Sequence, residues 1–277
     1  MIRRRVALLC AATVPLAACG TLTDNDLAAR VDDAVLDQSE FDLLANTAAG
    51  QPDADRVDVP FSTVQNVLNT WIVNRIVIGE LEAAGETPEP APPADDALSA
   101  LLNEQEVVFT QWQELPGATD EEFRAAYQRG PEYSEVACTS HVLVPTRAEA
   151  DEVVAQLDDG ADFAEVARER STDTVSAEVG GSLGCMNVGE FRQQFIPEFV
   201  DAALDAEIGQ PTGPVESQIG YHVILVRPFD EIQDVPEART VFESDGVRFR
   251  RAARAADIRI DPRFGAFDPE FCVVPLG

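Results

Sequence analysis

His141 and His222 are the only histidines in 277 residues. Both sit inside apolar, strand-like runs, Ser140-His141-Val142-Leu143-Val144 and Gly220-Tyr221-His222-Val223-Ile224-Leu225-Val226. An imidazole in such a run is either a core group satisfied by its neighbours or part of a hydrogen-bonding site, and its proton count changes near neutrality. Between the two lie Gly180-Gly181-Ser182-Leu183-Gly184 and Gly213-Pro214-Val215, where glycine serves turns and close backbone approach. Thiols are the other reactive groups. Of five cysteines, Cys10 falls in an export-type leader and Cys19 directly follows it, which leaves Cys138, Cys185 and Cys272. An odd number leaves one thiol over. Outside the cytoplasm a pair can oxidise, and Cys138–Cys185 is the first pair to test. No cysteine has metal-ligand spacing, so neither a metal nor a cofactor is expected.

Taken in order, these segments resemble the parvulin family of peptidyl-prolyl cis/trans isomerases over about residues 139–227. The resemblance implies that His141 and His222 face each other in a sheet beneath a peptide groove. Their role would be to orient the site, not to pass a proton to substrate. Ser171-Thr172-Asp173-Thr174-Val175-Ser176-Ala177 matches the loop that holds a Cys or Asp in the family, with Asp173 in that place, and Ser217 matches a hydroxyl near the histidines. The proline pocket would be lined by Leu183, by Phe191 or Phe195, and by Phe199. The run from Gly189 to Phe199 is longer than the family's usual spacing, which leaves Phe191 and Phe195 as alternatives. Each residue also has a plain reading: a local turn bond for Asp173, a surface serine for Ser217, core packing for the phenylalanines. The loop after the first histidine strand offers only Arg147, beside Glu149, Asp151 and Glu152. A dianionic group would be repelled there, so no preference for phosphorylated segments is expected.

The chemistry implied breaks no covalent bond. Amide resonance sets a barrier of roughly 18–20 kcal/mol to rotation, and an X-Pro bond left alone takes tens of seconds or more. A catalyst need only bind the twisted amide better than either planar form. That requires an apolar pocket for the ring and polar groups around the carbonyl.

Positioning such groups calls for a sheet with helices packed over it. Strands are predicted at 139–144 and 221–227, the second central and buried on both faces. Thr146 and Glu149 fit a capping box before a helix closed by Gly160. Further helices start at Asp162 and run over 196–204. The fold class is therefore α+β, a parvulin-like sheet with covering helices in residues 135–229. A mainly helical region would be built from residues 19–132 and 230–277. In the first, a hairpin turning at Asp32-Asp33 precedes helices from Ser39, over 62–84, 95–114 and 119–128, with an acidic, proline-rich loop at 86–96. In the second, one helix is predicted over 236–256, then a short strand at 257–265 that pairs with the hairpin. This layout resembles PrsA-type foldase lipoproteins and SurA-type periplasmic chaperones.

The leader reads Met1-Ile2-Arg3-Arg4-Arg5, then an apolar run to Ala18, too short for a stable span. It ends Leu16-Ala17-Ala18-Cys19, which resembles a bacterial lipobox with Cys19 lipidated; the alternative is an ordinary secretory signal over residues 1–18. Formal charge is -30, and lysine is absent. Such a surface repels nucleic acid and keeps the chain soluble beside sticky clients, though it equally suits a salty habitat. The reading is an extracytoplasmic isomerase, lipid-anchored to the cell envelope through Cys19, that acts on unfolded or partly folded exported polypeptides with X-Pro bonds. The alternative is an inactive parvulin-like chaperone that holds unfolded clients.

Overall fold

The computed structural model describes residues 26–52, 59–269 and 272–275. The leader and Cys19 lie outside the described residues. The chain opens with strands β1 (Leu27–Val31) and β2 (Ala34–Asp37), then helices α1 (Gln38–Ala48), α2 (Phe61–Ala83), α3 (Ala97–Gln113), α4 (Asp120–Tyr127) and α5 (Pro131–Ser134). The middle runs β3 (Val136–Val144), α6 (Arg147–Asp158), α7 (Phe163–Arg170), α8 (Thr174–Glu178), β4 (Ser182–Asn187), α9 (Val188–Gln194), α10 (Pro197–Leu204), β5 (Pro211–Ser217) and β6 (Gly220–Val226). The end comprises α11 (Phe229–Ile232), α12 (Pro236–Glu243), α13 (Asp245–Ala255), β7 (Ile258–Ile260), β8 (Ala266–Asp268) and β9 (Cys272–Val274).

The central sheet has strand order β4-β3-β6-β5, with every pair antiparallel. All nine residues of β3 are buried. Alternation along β3 and β6 divides the sheet into two faces. Val142, Val144 and Val223 pack against Ala150, Val153 and Leu157 of α6 and Val166 and Ala167 of α7. Ala137 and Ile224 face the other way, onto Phe191 of α9 and Phe199, Val200 and Ala203 of α10. Both His141 and His222 fall on that second face. α6 begins as its sequence dictates: Thr146 and Glu149 close a reciprocal capping box.

Two edge strands escape the sequence pattern. β4 contains Gly184, and β5 begins Pro211-Thr212-Gly213-Pro214; glycine and proline read as turn signals and are tolerated in strands chiefly at edges and bulges. At Gly213 the register of β5 on β6 shifts. A Cβ there would lie 2.6 Å from the His222 carbonyl oxygen, so only glycine lets β5 run this close.

The first and last segments meet in a three-stranded sheet of order β2-β1-β7, with Ala29 opposite Ile260 and Val31 opposite Ile258. Below it, Phe41, Leu44, Leu68, Trp71 and Ile72 share a core with Ala252 and Ala253 of α13. The helix predicted over 236–256 is two helices. Ser244 is extended (φ -62, ψ 140), ending α12 and preceding α13. Its hydroxyl donates to Val241 O at 2.8 Å, a local bond that competes with helical continuation. α12 does not pack on the N-terminal helices alone. Phe242 joins Phe123, Phe229, Val136 and Cys138 in a core beneath β3. No helix among the described residues is long and apolar enough to cross a membrane.

Candidate active site

The register of two strands brings the imidazoles together. His141 is opposite Ile224 and His222 opposite Leu143, so the histidines are diagonal neighbours on one face, a spacing that rings can bridge. Their Nδ1 atoms are 3.1 Å apart and the rings stack at 5.3 Å. Each is only 6% exposed.

Loops complete the network at both ends. On one side, His141 Nε2 is 2.9 Å from Asp173 Oδ2 and 3.0 Å from Ser176 Oγ. The loop is drawn in because Thr172 donates through its N–H (2.7 Å) and hydroxyl (3.0 Å) to Leu143 O, while Ser171 Oγ accepts from Leu143 N–H at 3.1 Å. Asp173 also caps α8, with Oδ1 accepting from the N–H groups of Val175 and Ser176. Gly181 seals the loop onto the strand. His141 N–H donates to its carbonyl at 2.8 Å, and with φ +80 a Cβ at Gly181 would lie 2.4 Å from His141 O. On the other side, His222 Nε2 is 2.9 Å from Ser217 Oγ, and Ser217 is held by Gly220 O (3.0 Å) and Ile219 N–H (3.3 Å) across the β5–β6 turn.

Charges follow from these contacts. The Ser176 hydroxyl, reinforced by His141, holds the Asp173 carboxyl below the usual carboxylate range. Burial, with His141 alongside, pushes His222 down to about 4, so His222 is neutral at pH 7. Ser176 donates to Asp173 Oδ2 at 2.7 Å, so both oxygens facing His141 Nε2 are acceptors and that nitrogen carries a proton. One more proton then lies between the two Nδ1 atoms. If it resides on His222, the Ser217 hydroxyl donates to His222 Nε2. If it resides on His141, His222 accepts at Nδ1, carries a further proton on Nε2 and donates it to Ser217, which turns its hydroxyl to Gly220 O; this arrangement holds one proton more than the first. The five groups form one continuous hydrogen-bonded chain with two proton arrangements.

The apolar wall stands beside it. Phe199 meets His222 edge-on at 5.3 Å and His141 at 6.0 Å. Phe195 stacks on Phe199 at 5.0 Å and 20°. Leu183 and Phe195 are partly buried against the same cluster, whereas Phe191 is 0% exposed and Phe199 2%. This separates the two alternatives. Phe191 cannot line a pocket, because it is core beneath Phe195 (4.9 Å); the long run from Gly189 to Phe199 is what left both open. Phe195 and Leu183 are partly exposed side chains of this cluster, and Phe199 lies buried behind Phe195. Sequence reading missed Ser176. The signal was present, since Asp173 and Ser176 lie three apart at a helix start, one turn from each other. Cys138 and Cys185 face each other across β3 and β4 and are joined by a disulfide, Cα–Cα 4.1 Å; Cys272 is free.

Residues 139–228 match the family described as Rotamase: PPIC-type PPIASE domain. That segment is a parvulin-type rotamase domain. The chain around it is similar to the Foldase protein PrsA of Caldanaerobacter subterraneus, 37% identical over 125 residues, 43% of this chain and 40% of that protein. Foldase protein PrsA 2 of Bacillus cereus is 42% identical over 101 residues, 34% of each chain. These alignments span two-fifths or less of those relatives. Foldase protein PrsA of Oceanobacillus iheyensis is 27% identical over 245 residues, 82% of this chain and 76% of that protein. Among solved structures, NmPin, the parvulin of Nitrosopumilus maritimus, is 31% identical and matches 34% of this chain and 96% of its own, with a TM-score of 0.31. PrsA from Bacillus subtilis is 20% identical and matches 84% of this chain and 90% of its own, with a TM-score of 0.32.

Proposed function

We propose that this protein is a peptidyl-prolyl cis/trans isomerase of the parvulin type that works outside the cytoplasm as a foldase for exported polypeptides. The observation that carries the reading is the unbroken chain from Asp173 and Ser176 through His141 and His222 to Ser217, set against Phe195 and Phe199 inside the rotamase segment. The proline ring packs on Phe195 and Leu183 with Phe199 behind. Asp173, about a third exposed in its side chain, presents negative charge toward the carbonyl and disfavours the conjugated planar amide. The histidines hold Asp173 in place and take no proton from the substrate. Little stabilisation is required, since about 1.4 kcal/mol off the barrier is tenfold in rate.

The module of residues 135–229 is set into a body made of residues 19–132 and 230–277, and that body holds clients. Cys19 carries the lipid that anchors the mature chain; the Cys138–Cys185 disulfide fits an oxidising compartment. Phosphorylated segments are not preferred: Arg147 lies beside Asp151, and Arg170 is paired with Glu152.

A protease-coupled assay on an X-Pro peptide tests the activity. Turnover that falls at least tenfold in Asp173→Ala, with the melting temperature nearly unchanged, supports the reading. No turnover from the wild type, with aggregation of an unfolded client still suppressed, replaces it with the holding chaperone. Mass measurement of the mature N-terminus tests the anchor, with a Cys19→Ala variant expected in the soluble fraction.

A further inference from the structure

Four large apolar side chains left in solvent crowd the edges of this site. Val175 is 81% exposed, Ile219 71%, Val179 62% and Ile196 41%. Each is tied to a site residue. Val175 N–H donates to Asp173 Oδ1 at 3.2 Å. Val179 N–H donates to Ser176 O at 3.0 Å at the end of the same short helix. Ile219 N–H donates to Ser217 Oγ at 3.3 Å. Ile196 directly follows Phe195. They come from three separate segments, so no single amphipathic stripe accounts for them. Burying a Val or Ile side chain is favourable, and folding recovers little of that here. Among and beside them stand exposed carboxylates, Glu178, Glu198 and Glu216.

We propose that Val175, Val179, Ile196 and Ile219 form a specificity rim that selects segments with bulky apolar residues beside the proline and rejects acidic ones. This rests on the isomerase reading and deepens it. An extended peptide whose proline occupies the wall at Phe195 must pass its neighbouring side chains over α8, the β5–β6 turn or the start of α10. Apolar neighbours recover buried area there, whereas a carboxylate loses water and meets like charge.

The test compares two tetrapeptides that differ only in Leu or Glu before proline, on wild type and on the triple variant Val175→Ser, Val179→Ser, Ile219→Ser. The substituted side chains are exposed, so the melting temperature should not move. One apolar side chain in a pocket discriminates by about tenfold or more. Wild type should therefore favour Leu in kcat/KM by about tenfold, and the variant should bring the two within twofold by losing rate on the Leu peptide alone. Equal wild-type rates on both peptides, or an unchanged ratio in the variant, overturn the rim. If the wild type turns over neither peptide, the isomerase reading falls, and chemical-shift titration with the same peptides decides the rim separately. Tighter Leu binding that the variant levels supports it, and equal binding of the two overturns it.

Discussion

Ser176 shows how much a single hydroxyl can decide in this site. It donates to Asp173 and accepts from His141 Nε2, and it is the main reason the Asp173 carboxyl titrates low. Ser176→Ala should raise that titration and shift the acid limb of the pH–rate profile upward, with kcat reduced and KM little changed. His222 carries the opposite kind of linkage. Its folded value near 4 lies below its ordinary 6.5, so the unfolded chain takes up this proton first. Stability from this group is complete above about pH 6.5 and is lost as the pH falls toward 4. Melting temperature followed from pH 7 to 4 should decline through that window, and His222→Asn should flatten the decline. Phe199→Ala would open a cavity worth about 3–5 kcal/mol and confuse folding with catalysis. Phe199→Leu is the better probe, with activity expected to fall more than in His141→Asn, since the wall rests on that ring.

At the scale of elements, β4 is the piece most in need of support. It is an edge strand, shifted in register against β3 near Ser140, and it carries Leu183 of the proposed pocket wall. The Cys138–Cys185 bond pins it to β3 across a 47-residue separation. Closing a loop of that size contributes about 2–4 kcal/mol. Reduction, or Cys185→Ser with Cys138→Ser, should lower the melting temperature and weaken peptide binding together; loss of stability with binding intact would mean the wall holds without the bond. Strands of this kind are also where sequence reading stopped. β3 and β6 are continuous apolar runs around the histidines and were legible, as were the capped helices α4 and α6. β4 and β5 were not, because Gly184, Gly213 and Pro214 carry turn chemistry while the neighbouring strand supplies the pairing. Four members of the hydrogen-bonded chain, Asp173, His141, His222 and Ser217, were named through the resemblance to the parvulin family. Ser176 was missed although it stands three residues after Asp173 at a helix start, because that spacing reads equally well as a local cap. The choice between Phe191 and Phe195 needed the end of α9 at Gln194, which leaves Phe191 buried in the helix and Phe195 extended at its cap.

In the whole molecule, the central sheet is coupled to the last long helix through one buried carboxylate. Glu135, 1% exposed and in a left-handed conformation (φ 61), stands just before β3. Arg250 Nε donates to it at 2.8 Å and Arg254 Nε at 2.9 Å. Removing both arginines leaves an unpaired buried charge, which costs about 3–5 kcal/mol. Removing the carboxylate leaves two guanidiniums that reach water. Arg250→Ala with Arg254→Ala should therefore destabilise the protein more than Glu135→Gln, by denaturant melts monitored on both tryptophans. The pairing of β1 with β7 adds a constraint of timing. A chain that emerges N-terminus first presents residues 27–31 more than two hundred residues before their partner at 258–260. The central sheet has all its strands by residue 226, while the hairpin still waits with one unsatisfied edge. Such an edge invites pairing with other chains, so the emergence of residues 258–260, and not completion of the central sheet, is the step that retires the hazard.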